Sequence, residues 1–316
     1  MKVLIVNNLL DPIVGAGTAR KATTLARALE QRGWTVALAA FDLGLDSTHA
    51  REALDGLTVH RVPWVAGRFP VPVVRPRTVR AQVGWADVVL LVNHWTTTNL
   101  AYAAACLSVG RPYVVMPCGA LDIVGRSGRF KRLYNRVAGH RMVRRASGWI
   151  ATTADEVPSF EPYGVSADEV EVIPNAIDPR DGAAGDAGRC RTRLGLDGRL
   201  VLFLGRLASV KGPDILLEAW SRLPRPEGVT LVLAGPEGDA AEAVHARLAA
   251  FRPDASARWV GPLDRTAALD ACAAADVLVV PSRHEAMSLV ALEAGMVGCP
   301  VIATTACGFP ELAEHG

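Results

Sequence analysis

Two glutamates, Glu285 and Glu293, stand on either side of the point where an apolar run, "ADVLVVP" (275–281), gives way to the helical stretch "LVALEAGM" (289–296). One capping residue is enough to start a helix, and Ser288 fits that part. Two carboxylates at such a place need a further reason. A helix start offers unpaired backbone N–H groups and the positive end of the helix dipole, which together suit an anion such as a diphosphate. Carboxylates repel a diphosphate, so their task beside one would be to recognise hydroxyls. Glu285, in the loop, could accept from hydroxyls on one side. Glu293, more than a turn into the helix, could clasp a vicinal ribose diol. The plainer reading, Glu285 complementing the dipole and Glu293 on the surface, stays open on these residues alone.

A second constellation lies in "LFLGRLASVKGPDILLEAWSRL" (202–223). A strand ends at Gly205, Arg206 and Lys211 flank a short loop, and a helix begins near Pro213–Asp214, with proline in its first turn and an acid beside it. Two cations and a helix start at a strand's C-terminal edge make an anion site. The phosphate-loop NTPase pattern fails here, because Lys211 lacks the preceding glycine and is followed by Gly212-Pro213. Only four of the 34 basic residues are lysines, which gives Lys211 more weight than any single arginine in an arginine-biased chain.

These residues must be positioned by elements that the hydropathy pattern makes visible. Apolar runs at 2–6, 35–41, 88–92, 113–116, 149–153, 200–205, 229–235, 275–281 and 300–305 alternate with amphipathic stretches such as "ARKATTLARALEQRG" (19–33). Uninterrupted apolar strands alternating with helices imply parallel sheets covered on both faces. At 316 residues, half of them hydrophobic, the chain has room for two domains. The polar, Gly- and Asp-rich segment "DPRDGAAGDAGRC" (178–190) places the junction, giving domains at 1–178 and 196–316 with a linker over 179–195. Two open α/β domains would turn the C-terminal ends of their strands toward a shared cleft.

Six scattered cysteines without a C-x-x-C pair indicate reduced thiols of a cytoplasmic protein, not a disulfide framework or a zinc site. No apolar run reaches the roughly 18 residues of a membrane span. Net charge is only +2, yet residues 1–178 carry +5 and residues 179–316 carry −3, so the first half is the one suited to an anionic partner.

The set "GRL…KG" (205–212), "LAGPEG" (233–238), "WVGPLDR" (259–265), "PS..E" (281–285), Glu293 and "GCPVIAT…G.PEL" (298–312) resembles glycosyltransferase family 4, with the motifs in order and at the family's spacing. The resemblance implies the GT-B fold, α/β with two Rossmann-like parallel-sheet domains facing a cleft, and a retaining, metal-independent enzyme with no cofactor. It implies Arg206 and Lys211 on the donor diphosphate, Glu285 on the donor sugar and Glu293 on the ribose. Main-chain contacts would reach the base near Leu263 and a phosphate near Ser288 and Leu289, and Gly205 opens the loop. The donor would be a nucleoside-diphosphate sugar, and the acceptor a polysaccharide, glycolipid or small glycoside. A GT-B epimerase and an inactive, nucleotide-sugar-binding remnant are the alternatives. The family pattern continues past "PELAEHG" with a final strand and helices, so the second domain is expected to be incomplete.

The first half matches less tightly. "VGAGTARKATTLARALEQRGWTV" (14–36) is similar to the family's first Gly-rich loop and helix, which implies Gly15 and Gly17 close over the phosphates. As a dinucleotide fingerprint it is poor, since Arg20 replaces the third glycine and no acid ends a following strand. "YVVMPCGALD" (113–122) places Cys118 and Gly119 where many relatives carry His-Gly. His94 in "VNHW" is another imidazole near a strand end, either an acceptor-side helper or a hydrogen-bonded loop residue, and Glu156 in "TTADE" matches a recurrent acid of the cleft. Finally, "RSGRFKRLYNRVAGHRMVRR" (126–145) holds eight Lys/Arg and no acid, with Phe130, Leu133, Tyr134 and Val137 at helical spacing. Such a helix could lie on the anionic inner face of a membrane, aided by Trp64 and Phe69, or pack its apolar side on the sheet and solvate its arginines. No motif points to nucleic acid.

Overall fold

The computed structural model describes residues 1–65, 70–123, 128–178, 185–223, 228–251 and 257–309. They belong to two compact units, Met1–Ala176 and Ile177–Gly316. Phe69, the first residues of the 126–145 stretch, residues 179–184 of the 179–195 segment and the end of "G.PEL" fall outside the described residues.

The first unit runs β1 (Lys2–Val6), α1 (Ala16–Gln31), β2 (Thr35–Phe41), α2 (Thr48–Leu54), β3 (Thr58–Val62), a small hairpin β4 (Trp64–Val65) and β5 (Val71–Pro72), α3 (Pro76–Trp85), β6 (Val88–Val92), α4 (Thr97–Val109) and β7 (Tyr113–Met116). It continues with α5 (Gly128–Tyr134), one π turn (Asn135–Gly139), α6 (His140–Arg144), β8 (Gly148–Ala151) and β9 (Val170–Val172). Its seven-stranded sheet has the order β3-β2-β1-β6-β7-β8-β9, and every pairing in it is parallel. Successive side chains of a strand point to opposite faces. In β1, Leu4 and Val6 therefore join one apolar layer with Val89, Leu91 and Tyr102, while Val3 and Ile5 join the other with Ala22, Ala26 and Leu38.

The second unit runs α7 (Ala187–Leu194), β10 (Arg199–Leu204), α8 (Pro213–Arg222), β11 (Val229–Ala234), α9 (Ala241–Ala250), β12 (Ala257–Trp259), α10 (Arg265–Ala274), β13 (Val277–Val280), α11 (Leu289–Met296) and β14 (Val301–Ala303). Its five strands, again all parallel, are ordered β12-β11-β10-β13-β14. Helix starts follow the local chemistry: Thr96, Asp186, Asp264 and Ser288 each cap a helix with a side-chain oxygen.

In each sheet the chain leaves its first strand toward one edge, then returns to the other side of that strand and moves the opposite way. The switch lies between β1 and β6 in the first sheet and between β10 and β13 in the second. At such a point the two outgoing connections diverge, leaving a crevice beyond the strand ends where ligands bind in open α/β sheets.

Part of the span read as linker is helix α7. Its Arg189 reaches the buried Asp270 of α10 with Nε–Oδ2 at 2.5 Å and Nη2–Oδ1 at 2.6 Å, and the Asp186 amide donates to the same carboxylate at 2.9 Å. An ion pair with a residue distant in sequence is invisible in a Gly- and Arg-rich segment. Among the described residues no helix is long and apolar enough to cross a membrane.

Burial opposes the charged form of Asp270, but the hydrogen bonds from Arg189 and the Asp186 amide, with the Arg189 charge, outweigh it and hold its pKa below the ordinary carboxylate value. Asp270→Asn should cost about 1–3 kcal/mol of unfolding free energy at pH 7. A depressed carboxylate stabilises the fold above its unfolded pKa, roughly 4. The gap between wild type and variant should therefore close as pH falls through the lower native value, which urea unfolding across an acid pH series will show.

Candidate functional site

The second unit gathers its candidate residues at the β10/β13 switch. Gly205 follows β10, and Arg206 is exposed, with no ion-pair partner among the described residues. Lys211, from the same loop, meets Glu285 from the loop after β13, Nζ–Oε1 at 2.9 Å. The Ser282 hydroxyl donates to the same Oε1 at 2.5 Å. Both contacts fall on one oxygen, and Oε2 has no partner among the described residues. The two loops are fastened by Arg283, which forks onto Asp214 at 2.8 and 2.6 Å and donates to the Ser209 carbonyl at 2.7 Å, while its amide donates to the Val210 carbonyl at 2.8 Å. Gly212 has φ +67°, and a Cβ there would run into the Pro281 carbonyl, so only glycine lets the loops approach this closely.

The loop after β13 is held from the other side as well. Thr304 Oγ1 donates to the Ser282 carbonyl at 2.5 Å, and the Glu285 and Ser288 amides donate to the carbonyls of Ala306 and Cys307. Ser288 is buried and caps α11, with Leu289 as the helix's first residue. Glu293 does not lie on the surface: it is 2% exposed, and Arg265 Nη1 stands 3.6 Å from its Oε1. Leu263 lies in the loop between β12 and α10 and packs on the core of this unit. Neither the approach of Arg265 to Glu293 nor the pairing of Arg283 with Asp214 is legible in the sequence, since residues so far apart leave no mutual signal.

In the first unit, Gly15 immediately precedes α1 and Gly17 sits in its first turn. Asn93 and Cys118, after β6 and β7, both adopt left-handed backbone (φ 73° and 56°). Cys118 is a neutral thiol at pH 7, since burial pushes its pKa up to about 11. Glu156 is buried and spends both oxygens on backbone: Oε1 accepts from the Gly119 amide at 2.5 Å and Oε2 from the Thr152 amide at 2.6 Å. It ties the ends of β7 and β8 together. Lys21, from α1, donates to Thr152 Oγ1 at 2.9 Å, which places a cation beside Cys118 and Gly119. The rarity of lysine could have found Lys21, as it found Lys211.

His94 is fully buried, ringed edge-on by Trp95, Tyr134 and Tyr163, and its Nε2 lies 2.8 Å from Asn135 Oδ1. It offers no surface to a substrate and acts as an anchor for the helical segment above it. Tyr134 lies half-buried on the same side as Phe130, Leu133 and Val137. It ends α5 just before the π turn, and its hydroxyl donates to the carbonyls of His94 and Thr96 at 2.7 and 3.0 Å. A Cβ at Gly139 would come within 2.5 Å of Asn135 Oδ1 and 2.6 Å of the Tyr134 ring, so the turn requires glycine. Phe130, Leu133 and Val137 are left 51, 56 and 73% exposed, not packed on the sheet. Trp64, by contrast, rests on Phe41 with ring centroids 5.9 Å apart. All six cysteines are free, and among the described residues no three His, Cys, Asp or Glu side chains converge to hold a metal ion.

Comparison with known proteins agrees with this architecture. Residues 16–176 match the family described as "Glycosyl transferase 4-like domain", and residues 189–316 that described as "Glycosyl transferases group 1". A D-inositol 3-phosphate glycosyltransferase of Xylanimonas cellulosilytica is 31% identical over 276 residues, covering 81% of this chain and 64% of the relative. One from Frankia alni is 36% identical over 260 residues, covering 74% of this chain and 61% of the relative. The chain thus spans less than two thirds of the length of these relatives. Among solved structures, Anabaena HepE in complex with UDP and glucose superposes with a TM-score of 0.79 at 22% identity, over 100% of this chain and 84% of that one. Sucrose-phosphate synthase from Thermosynechococcus elongatus superposes with a TM-score of 0.73 at 18% identity, over 98% of this chain and 82% of that one.

Burial lowers the His94 pKa to about 4, against the hydrogen bond that the imidazole donates to Asn135 Oδ1, while an unfolded imidazole titrates near 6.5. The unfolded chain therefore takes up this proton first. The fold should lose roughly 3 kcal/mol as pH drops from about 6.5 to about 4. His94→Gln, less stable at pH 7, should lose less across the same window. Denaturant midpoints at neutral and mildly acidic pH compare the two, and parallel curves would rule out a neutral buried imidazole.

Proposed function

The chain belongs to the glycosyl transferase 4-like family, and on that premise we propose that it moves a sugar from a nucleoside-diphosphate donor to a hydroxyl of a carbohydrate or glycolipid acceptor. The observation that carries this reading is the pairing of Lys211 with Glu285 across the β10/β13 switch, with Glu285 Oε2 left over. A cation and a carboxylate at one crevice suit a ligand that is anionic at one end and hydroxylated at the other.

The roles follow from the chemistry of each group. Arg206 and Lys211 neutralise the diphosphate as it leaves, and the amides at Ser288 and Leu289, at the start of α11, meet its oxygens. Glu285 Oε2 accepts from a hydroxyl of the donor sugar, and Glu293 from the ribose. The main chain near Leu263 meets the base, and Gly15 and Gly17 belong to the loop over the phosphates. With that charge already met by cations and backbone dipoles, the leaving group needs no metal ion. The anomeric carbon–oxygen bond to the diphosphate breaks, and the acceptor oxygen forms its bond on the same face. The acceptor proton passes to the departing phosphate oxygen, so the anomeric configuration is kept without a protein nucleophile. Lys21, Cys118 and Gly119 stand at the acceptor side.

UDP is the first nucleotide to try, because the Anabaena structure contains it, followed by GDP and ADP. In titration calorimetry one nucleotide should bind selectively, and Lys211→Ala or Arg206→Ala should each weaken it about tenfold to a hundredfold. Glu285→Gln should leave nucleotide affinity within a few-fold but cut sugar transfer by roughly a hundredfold or more. A folded protein that binds none of the three nucleotides, or whose affinity ignores Lys211, would sink the reading.

A further inference from the structure

Arg206 and Lys211 stand on one short loop, and the turn that carries Lys211 has no cap of its own. That 3-10 turn (Ser209–Lys211) begins after Ala208, whose methyl group cannot accept from its first amide. The cap comes from another loop. Asp239, beyond β11, accepts from the Ser209 amide through Oδ1 at 2.9 Å and from the Ser209 hydroxyl through Oδ2 at 3.1 Å. β11 lies on the far side of β10 from β13, so this hold is separate from the Arg283 fork across the switch.

Three observations define what this contact does. First, the loop after β11 is laced onto the one that bears Arg206. The Leu207 amide donates to the Pro236 carbonyl at 2.9 Å, and the Ala240 amide to the Leu207 carbonyl at 3.0 Å. A Cβ at Gly238 would come within 2.7 Å of the Leu207 carbonyl oxygen and 3.1 Å of Arg206 Cγ, so glycine alone admits this approach. Second, Ser209 lies between the two cations in sequence, and each of its polar groups is held. Asp239 takes the amide and the hydroxyl, and Arg283 donates to the carbonyl at 2.7 Å. Third, Asp239 and Ser209 are both exposed. A surface carboxylate in this neighbourhood repels an anionic ligand through space, so what it contributes to binding one comes through the turn it holds.

We propose that Asp239 is a positioning residue of the donor site: by capping the turn at Ser209 it fixes the spacing of Arg206 and Lys211 to suit a nucleoside diphosphate. It acts through Ser209 and not by contact with the phosphates. The proposal rests on the donor reading for the identity of the ligand. The two effects of the carboxylate have opposite signs, and substitution separates them. Asparagine removes the charge and keeps both contacts, its Oδ1 accepting from the amide and its Nδ2 donating to the hydroxyl oxygen. Alanine removes the charge and both contacts.

Titration calorimetry of the full chain with whichever of UDP, GDP and ADP binds, and with its monophosphate, tests this, together with hydrogen exchange over residues 203–214 without nucleotide. Asp239→Ala should weaken the diphosphate about tenfold and the monophosphate no more than about twofold. Asp239→Asn should bind the diphosphate as the wild type does, or up to about threefold better. Alanine should speed exchange across the loop, and asparagine should leave it slow. Asp239 is a surface residue, so both variants should melt as the wild type does. Tighter diphosphate binding by Asp239→Ala overturns the proposal, since the carboxylate would then be a repulsive charge alone. So does an equal loss with monophosphate and diphosphate, a loss in Asp239→Asn as large as in Asp239→Ala, or exchange that ignores Asp239→Ala. A chain that binds none of the three nucleotides, yet whose loop is loosened by Asp239→Ala, removes the donor reading and the ligand with it, and leaves Asp239 as the cap of the turn.

Discussion

Backbone hydrogen bonding runs unbroken from β1 to β6 and from β10 to β13, yet the chain departs from those neighbouring strands in opposite directions. No connection bridges the strand ends there, and the polar groups that emerge have to be satisfied by side chains or by ligand. Much of the polar structure described above answers that one requirement, separately in each unit.

The two units answer it with different chemistry. In the second, arginine does the fastening. Arg283 reaches Asp214 and the carbonyl of Ser209 from the opposite loop, so the cations at 206 and 211 stand on a fixed frame. In the first, a carboxylate does it: Glu156 accepts from two backbone amides and closes the loops after β7 and β8. The same residue type thus serves opposite ends. Glu156 is consumed by the scaffold, while Glu285 keeps one oxygen for other use. Position in sequence beside a strand end cannot separate those cases, because the difference lies in which amides point at the carboxylate.

The strands buried on both faces were legible, because their composition is set by the two apolar layers alone. Residues 35–41, 88–92 and 113–116 are read with the boundaries that the structure shows. The edge strands β3 and β12 were not, since Thr58, His60 and Arg61, or Arg258, interrupt the apolar run where only one neighbour is present. Helix α7 escaped for a similar reason: its stability comes from Asp270, far along the chain, and not from an apolar stripe. At the candidate site, residue type and spacing pointed to Lys211, Glu285 and Ser288, but not to the burial of Glu293 or the fork at Arg283. Periodicity also missed the π turn at Asn135–Gly139, because it assumes 3.6 residues per turn throughout.

That last departure has an evolutionary side. A π turn is an α-helix holding one residue more than the regular ladder requires. Each residue of an α-helix turns the following side chains by about 100°. Loss of one residue between Asn135 and Gly139 would therefore swing the face bearing Phe130 and Leu133 relative to Met142 and Val143, which are buried against the sheet. The strands and their hydrogen bonds would be untouched. A single-codon deletion or insertion in this turn thus acts as a rotary adjustment of one exposed apolar face, a way for descendants of the same scaffold to re-aim it in one genetic step.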